Sequence, residues 1–390
     1  MKQKQLALRN LRIEILSTML GGLGTGMIVP FLAVMALKYG GDALDTAVIA
    51  AAPAAANLLA LLWGRMTQNY DRVRLMSLLY GSARIFILFM AFTTQSSILV
   101  LLTVMFYVML SIAMPSYVGL MRTIYPEAKR ASYMAYVRIS GGIAVMAGTY
   151  TGGHWLDGRF RLAVLISCGL GIAGMAVFSR IREPIAGREE DEQGGSSLKD
   201  SVAAIKLDGA FQLLLLGVFI YEFVQLLPAS IYPIFQLNHL GLSFGQIGLL
   251  SIVMTAAALL FNPIWGDIID KRSSSSVLFI CAMLGAFYPL VYWLVPHPFA
   301  IICASFAAGV AGAGMDLAWI GFISRTAGRH ITSYSGVYLT LVGVRGILAP
   351  LLGAIAARRF GMDSVIALSF SFTLLSLIPF FLLIKRERYI

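Results

Sequence analysis

Twelve long apolar segments, separated by short polar ones, constrain the fold of this chain more than any other feature. A helix needs about 20 mostly apolar residues to cross about 30 Å of hydrocarbon. Lipid offers no hydrogen-bond partner to an exposed backbone, so segments of this kind cross a membrane as helices. We therefore expect an all-α membrane protein with twelve transmembrane helices. They are predicted at residues 12–36, 46–66, 75–95, 98–121, 131–155, 162–180, 209–236, 245–268, 276–296, 299–323, 331–357 and 363–384.

The balance of residue types supports a membrane environment and argues against several other classes. Only 13% of the 390 residues are charged and the mean hydropathy is +0.81, whereas soluble proteins carry about 25% charged residues. The net charge of +11 does not indicate a nucleic-acid partner, because the basic residues form no continuous stripe. The three cysteines and four histidines lack metal-site spacing, so we expect neither a metal nor another cofactor.

Lysine and arginine residues are distributed unevenly between alternate loops. With a cytoplasmic N-terminus, 22 of the 30 Lys and Arg residues fall in cytoplasmic segments, five in outer loops and three inside spans. Cytoplasmic loops carry the excess of positive residues in membrane proteins. We therefore expect an integral protein of the cell membrane with both termini in the cytoplasm.

One long polar stretch divides the chain in two. Residues 181–208 include an acidic, Gly- and Ser-rich run, which is typical of a linker. The predicted organisation is a six-helix bundle at 1–180, a cytoplasmic linker at 181–208 and a second six-helix bundle at 209–390.

The two halves also align with each other. Gly64, in Trp63-Gly64, corresponds to Gly266, in Trp265-Gly266, and Gly152 corresponds to Gly353, at nearly the same offset. Parallel repeats of six spans place a substrate path between the halves, near the middle of the membrane.

Two motifs resemble those of the major facilitator superfamily. The loop Gly266–Ser273 is similar to the family's G-x-L-x-D-R-x-G loop, and Gly64–Arg72 is a degraded copy with Gln68 in place of Asp. Gly148–Gly153 is similar to the G-P-x-x-G-G motif of the antiporter branch, with Thr149 in place of Pro. The Arg-and-Gly motif that drug/proton antiporters carry in span 4 is absent. The resemblance covers essentially the whole chain and implies secondary transport by alternating access.

Asp270 is the expected centre of a cytoplasmic gate. In a two-half bundle it would face the start of span 5, where a helix N-terminus attracts a carboxylate and Arg130 could add a charge-assisted bond. This pair would latch the halves on the cytoplasmic side; the other interpretation is a solvated loop with a helix cap. The full predicted gate set is Gly64, Arg72, Arg130, Gly266, Asp270 and Lys271.

Away from the span ends, six charged residues lie within predicted spans, where each needs a partner or a wet cavity because a bare charge is costly. Glu222 lies near the centre of span 7 and Asp316 lies in span 10, both of which line the cavity in the resembled family. Arg345 and Arg138 are the candidates to pair with these acids or to bind an anionic substrate. These four residues are the predicted substrate and proton-coupling site.

The other two intramembrane charges are expected to be structural. Arg84 lies in span 3, which mostly supports the bundle in the resembled family, and Glu14, near the inner end of span 1, is expected to pair with Arg12 or a gate loop. The candidate cavity residues are polar or aromatic, although core packing and interface belts explain such residues as well. They are Tyr221, Gln225, Tyr117 and Trp319.

Three functions are consistent with this sequence. The first is proton-coupled export of a small amphipathic or lipid-like molecule, because a carboxylate at mid-depth can take and release a proton as the halves move. The second is proton-coupled uptake of an anionic nutrient, favoured by three arginines within spans. The third is a membrane receptor or scaffold without transport. No histidine lies in the interior of a span and no catalytic Ser or Cys stands out, so we expect no enzyme. The expected partners are a small-molecule substrate, protons and the lipid bilayer, with no nucleic acid, and the expected form is a monomer.

Overall fold

The computed structural model describes residues 2–67, 70–183, 208–271, 273–326 and 331–387. These residues are almost entirely helical, and none of them belongs to a β-strand. Most of the predicted linker at 181–208 lies outside them. The described residues fall into two compact units. The first holds those before the linker together with Leu242–Leu249, and the second holds the rest.

The first unit contains six helical segments, of which the first is interrupted. A 3-10 turn at Val29–Phe31, which includes Pro30, separates two helices within one apolar stretch, because proline removes a backbone donor. The segments are α1 (Lys2–Ile28) with α2 (Leu32–Lys38), α3 (Ala43–Thr67), α4 (Arg72–Met90), α5 (Ser96–Ile124), α6 (Glu127–Trp155) and α7 (Phe160–Phe178).

The second unit repeats this plan. Its first segment is again interrupted near a proline, Pro228, by a 3-10 turn at Leu227–Ser230, and ends in a π-helical turn at Phe235–His239. The segments are α8 (Gly209–Leu226) with α9 (Tyr232–Ile234), α10 (Phe244–Lys271), α11 (Ser274–Leu294), α12 (Pro298–Thr326), α13 (Ile331–Phe360), and α14 (Met362–Leu375) with α15 (Leu377–Glu387). The first residues of α10 group with the first unit.

Ten helical segments of the described residues are long and apolar enough to cross a membrane, where twelve spans were expected. The two that fall short are α3, whose described apolar stretch covers only Ala43–Leu59, and α6. Helix α6 contains Arg138 as well as the charged residues of its first turn. A helix is nevertheless present at each of the twelve predicted positions.

Glycines allow helix backbones to touch at equivalent places in the two units. A β-carbon at Gly152 of α6 would lie 2.7 Å from Met27 Cα in α1, and one at Gly353 of α13 would lie 2.8 Å from the carbonyl carbon of Leu227. The second contact lies about 200 residues after the first along the chain. Small residues at helix interfaces are typical of membrane bundles, where close packing replaces the hydrophobic effect.

Serine hydroxyls repeat in the same way. Ser167 of α7 donates to the carbonyl of Gly24 at 2.6 Å, and Ser369 of α14 donates to the carbonyl of Val224 at 2.6 Å. All four residues occupy equivalent positions, about 200 residues apart. The internal repeat is therefore visible in backbone contacts as well as in the sequence.

Candidate functional site

An ion pair joins two helices of the second unit at the depth of the predicted site. Arg345 Nη2 of α13 contacts Glu222 Oε2 of α8, and the side chains are only 5% and 17% exposed. Burial on this scale makes each charge dependent on the other. Of the two arginines that the sequence offered as partners for Glu222, the structure pairs it with Arg345.

Aromatic side chains pack against one side of this ion pair. The Tyr338 hydroxyl lies 3.5 Å from Glu222 Oε1, and the Arg345 guanidinium lies 5.7 Å from the centre of the Tyr338 ring. Trp319 stacks on Tyr338 with ring centres 3.9 Å apart. Trp319, one of the candidate cavity residues, therefore supports the ion pair through Tyr338.

The position of Glu222 along the membrane is set by where α8 begins. Asp208 caps this helix by accepting hydrogen bonds from the backbone N–H groups of Ala210 and Phe211, each at 3.0 Å. The Tyr334 hydroxyl donates to the second carboxylate oxygen of Asp208 at 3.1 Å.

A cavity of about 470 Å³ opens beside the ion pair within the second unit. Glu222 and Asp316 contribute carboxylates to its wall, and Gln225 and Gln236 contribute amides. The remaining wall is mainly aromatic and apolar. It is formed by Tyr221, Leu226, Ala229, Tyr232, Pro233, Met254, Tyr288, Ala308, Gly312 and Met315.

Three of the predicted residues on α8 thus meet in one cavity. Gln225 is fixed by donating to the Gly285 carbonyl at 2.9 Å. Tyr221 is fully packed against Gly285, where a β-carbon would clash with the phenol ring. With Glu222 between them in sequence, they place a carboxylate, an amide and an aromatic ring on one wall.

The predicted gate residues of the first unit have local partners. Arg72 Nη1 pairs with Glu183 Oε1 at 3.2 Å, with both side chains largely buried. Arg130 donates to the carbonyl of Arg122 at 3.0 Å. Gly64 lies in α3, near its C-terminal end. The side chain of Arg130 therefore ties the start of α6 to the end of α5.

The predicted gate residues of the second unit lie at the end of α10. The Asp270 side chain is exposed, and its backbone carbonyl accepts from Arg325 Nη2 at 3.2 Å. Lys271 forms an exposed pair with Asp267 at 2.7 Å, and Gly266 lies one turn earlier in the helix. The role of Asp270 as a latch stays a prediction.

A second cavity, of about 390 Å³, lies within the first unit. Tyr117 and Arg138, both predicted site residues, line it, together with Glu14 and Arg84. Glu14 is 1% exposed and accepts hydrogen bonds from Tyr117, at 2.8 Å, and from Tyr125. Its partners are therefore two tyrosines and not the expected Arg12.

Sequence reasoning gave too little weight to Glu14 and Arg84. Arg84 lies on the cavity wall, although span 3 was expected only to support the bundle. The sequence feature that could have indicated this is that α4 carries no acidic residue to neutralise Arg84 within its own helix.

Among the described residues, no group of three or more His, Cys, Asp or Glu side chains could hold a metal ion.

Comparison with solved structures finds close relatives in fold at low sequence identity. The nucleoside transporter NupG superposes with a TM-score of 0.75 at 12% identity, covering 96% of this chain and 99% of that one. A bacterial homologue of the human lysosomal transporter Spinster, inward-facing and occupied, gives 0.75 at 14% identity, covering 96% of each chain. The human organic anion transporter MFSD10 (TETRAN) gives 0.63 at 13% identity, covering 96% and 99%. No curated protein sequence matches this chain.

Two units of interrupted and continuous membrane helices, each with a cavity that carries charged side chains, define a polytopic membrane protein. The family model for the Major Facilitator Superfamily matches residues 15–235 and 214–389, which together span nearly the whole chain. The chain belongs to the Major Facilitator Superfamily.

Proposed function

We propose that this protein is a proton-coupled secondary transporter that exports a small amphipathic molecule by alternating access. The observation that carries the proposal is the cavity of the second unit, in which the Glu222 carboxylate lies among aromatic and apolar side chains. Ligand cavities of 300–1,000 Å³ with few polar groups suit small organic molecules. The cavity wall is therefore matched to a solute with an apolar body and a polar group.

Glu222 supplies the proposed proton site. A carboxylate inside a membrane protein is costly unless it has a function or a partner, and Glu222 has the cavity on one side and Arg345 on the other. Protonation of Glu222 would release Arg345, and loss of the proton would restore the pair. If the two conformations of the transporter differ in how they hold this pair, proton binding and movement of the halves are coupled.

The direction of export rests on the similarity of Gly148–Gly153 to the antiporter motif. The structure gives two of these glycines a packing function as well, because β-carbons at Gly148 and Gly152 would clash with the α1 backbone. Uptake of an anionic nutrient by proton symport is the second candidate, and Arg84 in the first cavity favours it. Two of the structural relatives, a nucleoside transporter and an organic anion transporter, add nucleosides and organic anions to the solute classes that should be tested.

The test begins with a thermal-shift screen of the purified protein. The compounds are tetraphenylphosphonium, uridine, benzoate, glucose and a lysophospholipid. Each compound that raises the melting temperature is then tested in proteoliposomes with an imposed pH gradient and a pH-sensitive dye inside. A transporter gives solute-dependent proton flux, and the gradient direction that drives uptake separates export from import. A receptor or scaffold gives no such flux with any compound that binds.

Glu222→Gln tests the coupling role, because the amide mimics the protonated carboxyl group and still offers an oxygen to Arg345. We expect the variant to keep the thermal shift but lose the proton-driven flux. The double variant Glu222→Gln with Arg345→Gln serves as a folded alternative if the single variant is unstable. Asp267→Asn, in an exposed pair, is the control for loss of a carboxylate. Wild-type flux in Glu222→Gln would remove Glu222 from the mechanism and leave Asp316 as the next candidate.

A further inference from the structure

The cavity of the first unit contains a cation that the proposed coupling mechanism does not use. Its wall is formed by α1, α4, α5, α6 and α7. Arg84 of α4 contributes a deeply buried positive charge, since the residue is only 4% exposed. Arginine remains charged in proteins, so this wall carries a fixed positive charge inside the membrane.

The guanidinium of Arg84 is only partly hydrogen-bonded. Nη2 donates to Thr25 Oγ1 at 3.0 Å, whereas Nε and Nη1 are buried and have no hydrogen-bond partner in the described part of the chain. No described carboxylate lies within 4.0 Å of it. Buried polar groups are almost always satisfied in folded proteins, and each exception requires an explanation.

The surrounding residues hold this guanidinium in place. A β-carbon at Gly171 of α7 would clash with Arg84 Nε and Cδ, so the glycine leaves the space that the side chain fills. The Phe106 ring centre lies 5.7 Å from the guanidinium carbon. Together with Thr25, these neighbours fix the position of the charge without neutralising it.

The other charges of the cavity do not supply the missing partner. Glu14, its one carboxylate, already accepts hydrogen bonds from two tyrosines, Tyr117 and Tyr125. Arg138 adds a second cation to the same wall. The cavity therefore has an excess of positive charge, in contrast to the cavity of the second unit, where Arg345 is paired with Glu222.

We propose that the cavity of the first unit binds an anionic group of the solute, a carboxylate or a phosphate monoester, through the unpaired N–H groups of Arg84. Guanidinium donors form paired hydrogen bonds with two oxygens of a carboxylate or of a phosphate. The inference rests on the transporter function proposed above and adds the chemical class of the solute. The transported molecule is then a small organic anion with an apolar body.

The same anionic chemistry is also present in lipid headgroups, so the test separates the two sources. Wild-type protein is placed in nanodiscs of phosphatidylcholine alone or with phosphatidylglycerol. Calorimetry then measures the binding of benzoate and of phenyl phosphate, with benzamide as the uncharged molecule of the same shape. We expect at least one of the two anions, but not benzamide, to bind in phosphatidylcholine nanodiscs.

Variants of Arg84 assign the binding to this side chain. Arg84→Gln should weaken anion binding at least tenfold, and Arg84→Lys should retain part of it because the charge is kept but the fork of donors is lost. Arg161→Gln, which removes an exposed arginine of α7, is the matched control and should bind as wild type. Arg84→Gln should also melt no earlier than wild type, since it removes a buried charge that has no carboxylate partner.

Three results would overturn the proposal. They are the absence of binding by both anions, equal binding of benzamide, and unchanged affinity in Arg84→Gln. Arg84-dependent retention of phosphatidylglycerol without binding of either anion would assign the site to lipid and also overturn it. If Arg84-dependent anion binding persists without any solute-dependent proton flux, the transporter proposal fails and the site stands. If flux of an uncharged solute depends on Glu222 but no anion binds, the transporter proposal stands and the anion site fails.

Discussion

At the scale of single residues, the two units satisfy a buried carboxylate in different ways. Glu222 is paired with a full cation, Arg345, whereas Glu14 is held by the neutral hydroxyls of Tyr117 and Tyr125. An ion pair and a set of neutral hydrogen bonds respond differently when one partner is removed. A broken ion pair leaves an uncompensated charge, which is the more costly outcome inside a membrane protein.

Removing one partner of the Glu222–Arg345 pair is expected to destabilise the protein more than removing both. Arg345→Met leaves a buried carboxylate without its cation, and breaking a buried pair in this way costs about 3–5 kcal/mol. The double variant Glu222→Gln with Arg345→Met removes both charges and should recover most of the loss. Unfolding of the wild type, the two single variants and the double variant in detergent measures the coupling energy.

The exposed pair of Lys271 and Asp267 is the control for this cycle. Lys271→Met should change stability by less than about 1 kcal/mol, as exposed pairs generally do. Single and double variants with the same loss would show that Arg345 contributes through packing and not through its charge.

At the scale of helices, the structure depends on a few points where two backbones meet. Gly152 brings α6 against α1 at Met27, and Gly353 brings α13 against the turn at Leu227. Neither contact leaves room for a side chain. Helix α6 is also the span with the weakest apolar character, so we infer that its place in the bundle depends strongly on this close packing.

Alanine at either of these glycines should therefore destabilise its own unit. We expect Gly152→Ala and Gly353→Ala each to cost about 1–3 kcal/mol, the usual effect of overpacking. Gly169→Ala in α7 is the control, because a β-carbon there meets nothing within 4 Å, and alanine is favoured over glycine in a helix. Thermal unfolding in detergent measures all three. An unchanged melting temperature in Gly152→Ala would mean that α1 and α6 can move apart without loss of stability.

At the scale of the whole molecule, the fold is that of a Major Facilitator Superfamily transporter, and the predicted orientation rests on charge. The segments predicted to be inner and outer differ strongly in Lys and Arg content, and a bias of this kind sets topology in membrane proteins. Orientation determines the direction of any proton-driven flux, so it needs a direct measurement.

Cysteine labelling in sealed cells should find the π-helical turn outside and the linker inside. In a Cys303→Ser background, which removes the exposed native thiol, Asn238→Cys should react with an impermeant maleimide. Glu190→Cys, in the linker and outside the described residues, should react only after permeabilisation. The reverse pattern would invert the orientation and, with it, the proposed direction of transport.

Asp270→Asn should favour opening of the cytoplasmic side if Asp270 acts as a latch. We expect a shift of about 1–2 kcal/mol between conformations, the size of a partly buried helix-end charge interaction. Spin labels at Glu127→Cys and Ser324→Cys, placed in the Cys303→Ser background, report the distance distribution. Asp267→Asn, one turn earlier, controls for general loss of negative charge. Identical distributions in Asp270→Asn and wild type would favour the interpretation as a helix cap.

Much of this architecture could be predicted because it depends on properties that are local along the chain. The positions of the helices follow from apolar length, and the repeat follows from spacings such as that of Gly152 and Gly353. The depth of Glu222 in α8 follows from helical rise beyond Asp208.

The side-chain partners were harder to predict because they depend on helix rotation and tilt. Tyr117 and Tyr125 lie more than 100 residues from Glu14 in the sequence. A small rotation of a helix would therefore move either hydroxyl away from the Glu14 carboxylate. The contribution of Arg84 to the cavity wall was not predicted for the same reason, since only Gly171, on another helix, reveals the space that its side chain needs.

The matched serine contacts, Ser167 to Gly24 and Ser369 to Val224, point to how the two halves diverged after duplication. Each of these contacts joins a serine hydroxyl to the backbone of a neighbouring helix, so this part of the helix packing was preserved in both halves. The charges were not: Arg345 and Glu222 have no counterparts at the equivalent positions of the first half, and Arg84 has none in the second. Duplication thus produced two copies of one frame, and each copy has since acquired its own chemistry.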